Sequence, residues 1–182
     1  MFSTCFAQTE KSLSLDEQGK YIFYEVIETP SVSKDSLINR TQYFFKTLKH
    51  KNVILKSSID SLFKAEGKFI IHKGSSMFGH PAAEVLFNFV AEIKEGKYRY
   101  WLTDFKIVAY QRDRYANFVP ASTIYRNLED SPGKIDSQDW KGKITNTANQ
   151  AYKFGENFKK HLARAHNTPV LKKSKSISKQ AW

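Results

Sequence analysis

A glycine- and serine-rich segment, Gly74-Ser75-Ser76-Met77-Phe78-Gly79, invites comparison with the turn that presents a nucleophilic serine in hydrolases. That turn needs a glycine two residues before and two residues after the serine, between a strand and a helix. Here the second glycine comes one residue late, and a strand is predicted to follow. His80 is next in sequence, but no acidic residue is placed to orient its imidazole. We therefore predict a loop between strands and no catalytic serine.

The histidines and the single cysteine lack the spacing of metal ligands. Zinc sites place ligands four residues apart on a helix or pair histidines with cysteines. Neither arrangement occurs among the five histidines, which are His50, His72, His80, His161 and His166. Cys5 lies far from any predicted element, whereas a nucleophilic cysteine needs a neighbouring base. The sequence predicts no metal, no other cofactor and no catalytic cysteine.

Two carboxylates, Glu66 and Glu92, are predicted to share one face of a sheet. Lys64, Lys68 and Arg99 are predicted on the same face. Such an arrangement is typical of solvated ion pairs rather than of an isolated pair of acids with perturbed pKa values. With no catalytic motif elsewhere, we predict that the chain is not an enzyme.

These residues are positioned by a hairpin over residues 85–110, which gives the clearest local pattern. Apolar and polar residues alternate from Val85 to Lys94, Glu95-Gly96 supplies a two-residue turn, and a second strand starts at Tyr98. The turn pairs Ile93 with Tyr98, Glu92 with Arg99, Ala91 with Tyr100, and Val90 with Trp101. The alternation loses phase beyond Thr103, which predicts a bulge near Asp104.

The remaining elements follow from the period of the apolar residues. Strands are predicted over Lys20–Glu28, Asn52–Ser57 and Leu62–Lys73, and helices over Ser33–His50 and Ser137–Ala165. Between hairpin and last helix lies a long connection, Arg112–Asp136, with a short helix at Ser122–Leu128. This order, β-α-β-β-β-β-α, predicts an α+β two-layer sandwich whose mostly antiparallel sheet of about five strands has helices on one face. Gly155 falls within the apolar stripe of the last helix, where it is disfavoured unless the helix closely approaches the sheet.

Charge and composition fit one domain with a basic end. The 182 residues carry 29 lysines and arginines against 18 acids, a net charge of +11, and residues 159–182 contribute seven of those positive charges with no acid. We predict a signal-peptide remnant and flexible N-terminus at residues 1–19, a single α+β domain at 20–166 and a basic disordered tail at 167–182. The tail contains Lys172, Lys173, Lys175 and Lys179. No stretch approaches the roughly 18 consecutive apolar residues of a membrane span.

The N-terminus resembles the end of an export signal. Cys5 and Ala7 are small residues placed three and one positions before Gln8, as a signal peptidase requires, although the preceding apolar region is too short to be a complete signal. We interpret it as the remnant of a signal peptide. A lipid-modified Cys5 and a terminus without a role are the two alternatives.

Several segments resemble one known family. Glu95-Gly96-Lys97-Tyr98-Arg99-Tyr100 is similar to the central hairpin of the domain-of-unknown-function family number 4468, which has a TATA-binding-protein-like (TBP-like) fold. Tyr24-Glu25-Val26-Ile27, Ser33-Lys34-Asp35-Ser36-Leu37 and Glu66-Gly67-Lys68-Phe69 resemble its opening strand, its helix start and its central strand. The resemblance covers residues 20–110. It implies that fold and an exported bacterial protein with a signal peptide, and it implies no activity, cofactor or catalytic residue.

The open face of the predicted sheet is the candidate binding surface. It carries Trp101, Arg99, Val90, Glu92 and Ile70, and an exposed tryptophan beside aliphatic residues and an arginine is typical of a recognition patch. The alternative is that the connection at residues 112–136 folds over this face and buries Trp101.

We predict an exported, periplasmic or envelope-associated binding domain whose partner is a protein or another envelope component. Two other functions stay open. One is a carrier that holds a small apolar ligand between the sheet and the last helix, and the other is weak binding of polyanions or anionic membrane surfaces by the tail. Nucleic acid is not an expected partner, because a TBP-like fold does not by itself imply DNA binding.

Overall fold

The computed structural model describes residues 12–48, 52–73, 79–130 and 137–164. The strands are β1 (Ser14–Leu15), β2 (Tyr21–Glu28), β3 (Val53–Ile59), β4 (Leu62–His72), β5 (Pro81–Lys94), β6 (Lys97–Arg112), β7 (Phe118–Pro120) and β8 (Arg126–Asn127). The helices are α1 (Lys34–Leu48), which follows β2, and α2 (Ser137–Ala163), which is the last described element.

All strand pairs that the structure describes are antiparallel. The order across the sheet is β1-β2-β6-β5-β4-β3, and the second half of β6 pairs with β7 and β8 where β2 has ended. Both helices lie on one face, so the α+β two-layer architecture is confirmed.

The central hairpin has the predicted register. Gly96 adopts a φ of 65° in the turn, which a residue without a side chain adopts at little cost. Ile93 pairs with Tyr98, Glu92 with Arg99, and Val90 with Trp101. The predicted bulge is also present: Asp104 and Phe105 lie opposite Phe87 alone, and Asp104 has a φ of 53°.

Aromatic side chains fill the space between the sheet and the helices. Phe158 of α2 packs with ring centroids 5.1 Å from Tyr100, 5.2 Å from Phe89 and 5.1 Å from Phe44 of α1. Alternate residues of β4, β5 and β6 are buried toward this layer because each strand presents only every second side chain to the helices. The core therefore lies between the sheet and the two helices.

Gly155 explains how α2 approaches the sheet so closely. A Cβ atom at this position would lie 2.4 Å from the Tyr100 hydroxyl and 3.0 Å from the Phe23 ring. The glycine in the apolar stripe thus permits a close contact, as its position in the sequence predicted.

The structure corrects three predictions made from the sequence. The short helix predicted at 122–128 is wrong: Arg126–Asn127 is strand β8, paired with Lys106 and Ile107. β5 begins at Pro81 and β3 extends to Ile59, so both strands are longer than predicted. Residues 12–19, assigned to the N-terminal segment, include β1 and the buried Leu13. Strands of two or three residues have too few side chains to show a period, and they form only because β2 and β6 offer free edges.

Candidate functional site

The sheet face opposite the helices carries the candidate surface. Two neighbouring cross-strand rows define it: Lys64, Val90, Trp101 and Tyr24 form one, and Leu62, Glu92, Arg99 and Val26 form the other. We use the name Trp101 patch for six of these side chains, namely Tyr24, Val26, Val90, Glu92, Arg99 and Trp101. Four of the five residues predicted from the sequence thus lie together.

The apolar members of the Trp101 patch are accessible to solvent. Tyr24 is 48% exposed and Val26 is 51% exposed, while Trp101 and Val90 are half-buried. The Tyr24 and Trp101 rings lie with their centroids 6.4 Å apart, and the Arg99 guanidinium lies 5.6 Å from the centre of the Trp101 ring. β2 supplies Tyr24 and Val26, which were missing from the predicted surface because the sequence pattern does not show that β2 pairs with β6.

Arg99 and Glu92 form the polar part of the patch. The Arg99 Nε and Nη2 atoms lie 2.6 Å and 2.5 Å from one Glu92 oxygen, and the Lys94 ammonium lies 3.6 Å from the other. The bond from Arg99 holds the pKa of the Glu92 carboxyl below its usual range. Glu92 is therefore an anion whose negative charge is balanced by Arg99 and Lys94. This arrangement is typical of a fixed ion pair and not of a group that transfers protons.

Ile70, the fifth predicted residue, belongs to another part of the face. It pairs with Glu84, whereas Glu92 pairs with Leu62. The two positions are eight residues apart along β4 and β5, which corresponds to about 26 Å at roughly 3.3 Å per residue.

A buried polar cluster lies beside Ile70 and was not predicted from the sequence. Glu84 is 5% exposed and accepts hydrogen bonds from the Lys68 ammonium at 2.9 Å, the Tyr110 hydroxyl at 3.0 Å and the Tyr125 hydroxyl at 2.8 Å. Burial raises the pKa of Glu84, but the bonds from Lys68, Tyr125 and Tyr110 outweigh that effect and leave its pKa below the usual range. The accepted bond in turn raises the pKa of Tyr125 to about 12. No local pattern links these residues, since the donors come from three separate segments.

The connection after β6 crosses the open face at the Glu84 end. Tyr125, in this connection, donates to Glu84, and Val108 is buried there although it points away from the helices. The alternative in which this connection buries Trp101 is not what the described residues show, because Trp101 keeps its partial exposure beside Tyr24 and Arg99.

The other candidates from the sequence gain no support as catalytic or metal sites. Residues 74–78 of the serine-rich segment, His50, His166, Cys5 and the four tail lysines lie outside the described residues. His80 stacks on Phe118 at 5.1 Å between ring centroids. Within the described ranges, no group of three or more His, Cys, Asp or Glu side chains is arranged to hold a metal ion.

The layer between the sheet and α2 is where a small apolar ligand was expected under the carrier hypothesis. Phe154 lies 5.3 Å from Phe89 and 5.6 Å from Phe87, and Gly155 brings the helix backbone against Tyr100. These rings occupy the space that such a ligand would need, which argues against the carrier hypothesis.

The fold and hairpin of this chain match a known family. Residues 23–108 match the model of a family described as a domain of unknown function (DUF4468) with TBP-like fold. This part of the chain is therefore similar to the DUF4468 family. The DUF4468 match covers β2 to most of β6, and it therefore includes every residue of the Trp101 patch as well as Glu84.

Two solved structures share the fold. A crystal structure of a DUF4468 family protein from Bacteroides ovatus is 14% identical, with a TM-score of 0.56 over 88% of this chain and 95% of that one. A crystal structure of a TBP-like protein from Parabacteroides distasonis is 12% identical, with a TM-score of 0.60 over 83% of this chain and 97% of that one. At these identities the likeness establishes the fold and nothing more.

No curated protein matches the chain. Neither helix in the described residues is long and apolar enough to cross a membrane. What this chain binds is therefore inferred from its own open sheet face.

Proposed function

We propose that this chain is a non-catalytic binding or protein-interaction domain that uses the open sheet face. The observation that carries the proposal is the Trp101 patch, where Tyr24 and Val26 are each about half exposed beside Trp101 on a face that the helices leave free. Clusters of exposed apolar side chains with aromatic and arginine members are typical of protein contact surfaces. Covering these side chains with a partner removes apolar area from water.

A non-catalytic role is supported by the ion pairs on this face. Four acids of this face are engaged in ion pairs: Glu92 with Arg99, Glu84 with Lys68, Asp104 with Lys20, and Glu66 with Lys56. Such pairs fix charge and hydrogen bonds in place. A general acid or base, by contrast, needs a pKa near the working pH.

We further propose that the domain is exported and acts in the periplasm or at the cell envelope. The support is the Cys5-Phe6-Ala7-Gln8 segment, which resembles the end of a signal peptide, together with the expectation from the family resemblance. Fractionation of the native host, with detection by antibody, tests the location. Recovery of the protein in the cytoplasmic fraction alone would contradict export.

The use of the open face is tested by capture of partners from an envelope extract. Trp101→Ala and Arg99→Ala alter the patch, while Lys141→Ala and Lys153→Ala alter exposed positions of α2. We expect chemical cross-linking to join the wild type and both α2 variants to one partner, with cross-links mapped to β2 and β6, and both patch variants to lose it. Circular dichroism checks that each variant is folded. If the patch variants keep every cross-linked partner, the open face is not the binding surface.

A further inference from the structure

A pocket at the turn end of the Trp101 patch has the size of a single side chain. It has a volume of about 170 Å³ and is lined by Tyr24, Val26, Glu92, Lys94, Lys97, Tyr98 and Arg99. Sites for complete small ligands usually measure about 300–1,000 Å³. A pocket of this volume on an exposed sheet face instead suits one apolar anchor residue of a larger partner, because such anchors fill small pockets at the centre of interfaces.

The charges around this pocket favour an acidic partner. Lys94, Lys97 and Arg99 line it with Glu92, and Glu28 is the cross-strand neighbour of Lys97. Three cations and two acids leave a surplus of one positive charge. Lys64 is paired with Val90 in the neighbouring cross-strand row and has no ion pair among the described residues. It therefore adds a second positive charge.

The geometry of the aromatic residues favours a polypeptide over a nucleic acid. Bases bind single-stranded sites by stacking on free aromatic faces. Here the Arg99 guanidinium lies over the Trp101 ring and Tyr24 lies tilted beside it at 36°, so Trp101 is held by its own neighbours. A second copy of this chain is also disfavoured, because two faces with the same surplus of positive charge repel each other.

We propose that the Trp101 patch binds an acidic segment of another polypeptide. One apolar side chain of that segment enters the pocket between Tyr24 and Val26, and its flanking carboxylates contact Lys94 and Lys97 on one side and Lys64 on the other. The inference rests on the proposed function and adds the chemistry of the partner to it. Arg99 remains paired with Glu92 and serves as a fixed wall of the pocket.

Selection from a library of random 12-residue peptides displayed on phage tests this partner chemistry. The library is panned against the full chain, and enriched peptides are synthesised and titrated by fluorescence anisotropy. The variants are Lys94→Glu/Lys97→Glu, which reverses charge at the pocket, and Lys141→Glu/Lys153→Glu, which makes the same change in net charge on α2. A 12-nucleotide single strand of mixed sequence is titrated in parallel.

We expect the enriched peptides to contain more Asp and Glu than the library, with an aliphatic or aromatic residue between them. Their affinity falls by about tenfold or more in the pocket variant and changes little in the α2 variant. Neutral or basic enriched peptides, no enrichment, equal binding to both charge variants, or tighter binding of the oligonucleotide would each overturn the inference. If the peptides are neutral but Trp101→Ala abolishes their binding, the proposed function stands and only the acidic partner fails. If Trp101→Ala leaves peptide binding unchanged, the proposed function fails as well.

Discussion

At the scale of single residues, Glu84 joins three separate segments of the fold. Its carboxylate accepts hydrogen bonds from β4 through Lys68, from β6 through Tyr110 and from the following connection through Tyr125. A buried carboxylate is costly unless its oxygens are satisfied, and here both oxygens have donors. Glu84 therefore attaches the connection to one end of the open face. The other end, which carries the Trp101 patch, stays uncovered by it.

Replacing Glu84 by Gln tests this anchoring role through its pH dependence. The pKa of Glu84 in the folded chain lies below its ordinary value of 4.5, so the ionised group stabilises the fold above that pH and loses its contribution as the pH falls through the folded value. We expect Glu84→Gln to lower the free energy of unfolding by about 1–3 kcal/mol at pH 7. The difference from wild type should shrink between pH 5 and pH 3, as measured by urea denaturation.

Glu66→Gln is the matched control for this experiment. The Glu66 side chain is 59% exposed and contacts the half-exposed Lys56 at 2.9 Å, and an exposed pair contributes about 0–1 kcal/mol. A Glu84→Gln effect as small as that of Glu66→Gln would show that Glu84 does not anchor the connection.

Gly155 and Gly142 give a second comparison between single residues, both within α2. Alanine is favoured over glycine in a helix by about 1 kcal/mol. A Cβ atom added at Gly142 would have no neighbour within 4 Å, so Gly142→Ala should stabilise the protein by up to that amount. At Gly155 the added methyl group would collide with the buried Tyr100 hydroxyl. We expect Gly155→Ala to destabilise the protein by about 1–3 kcal/mol, measured by denaturant unfolding. Equal effects at both positions would mean that α2 does not depend on this close approach.

At the scale of elements, the sequence was most informative where local rules decide the structure. The turn at Glu95-Gly96 fixes the register of β5 and β6, and strict alternation fixes which side chains face the helices. The prediction of a helix at 122–128 was wrong because β8 forms by pairing with β6, and no local sequence pattern indicates that contact. Ile70 was placed on the correct face, but its distance from Trp101 depends on how the longer strands align.

Deleting Asp104 tests how the bulge organises β6. Thr103 and Asp104 lie between Leu102 and Phe105, which are both buried, so removing Asp104 restores simple alternation and keeps Phe105 and Ile107 on the helix side. Removing Lys106 instead shifts every later residue to the other face. We expect the Asp104 deletion to fold with reduced stability, because Lys20 loses its ion pair, and the Lys106 deletion not to fold. Circular dichroism and thermal melting distinguish them; similar melting of the two deletions would contradict this role of the bulge.

At the scale of the whole molecule, the core could be predicted from the sequence more fully than the candidate binding site. The core between sheet and helices was predictable as a layer, because the apolar stripes of α1 and α2 and the alternating strands each have one buried face. The site was predictable only in part. Tyr24 and Val26 come to Trp101 through the pairing of β2 with β6, and residues about 75 positions apart in sequence show no sign of that contact. The uneven distribution of positive charge, by contrast, is visible in the sequence alone, because residues 159–182 contain seven cations and no acid.

The excess of positive charge makes the tail a separate candidate for binding polyanions. Residues 165–182 contain Lys172, Lys173, Lys175 and Lys179 and no acid, and each phosphate or sulfate neutralised by a lysine steepens the dependence of binding on salt. We expect replacement of these four lysines by serine to lower the salt concentration at which the chain elutes from heparin, with the melting temperature unchanged. Replacing four exposed cations of the domain, Lys46, Lys141, Lys153 and Lys160, makes the same change in charge and should have a smaller effect on elution. If the two variants elute together, net charge rather than the tail governs binding to the polyanion.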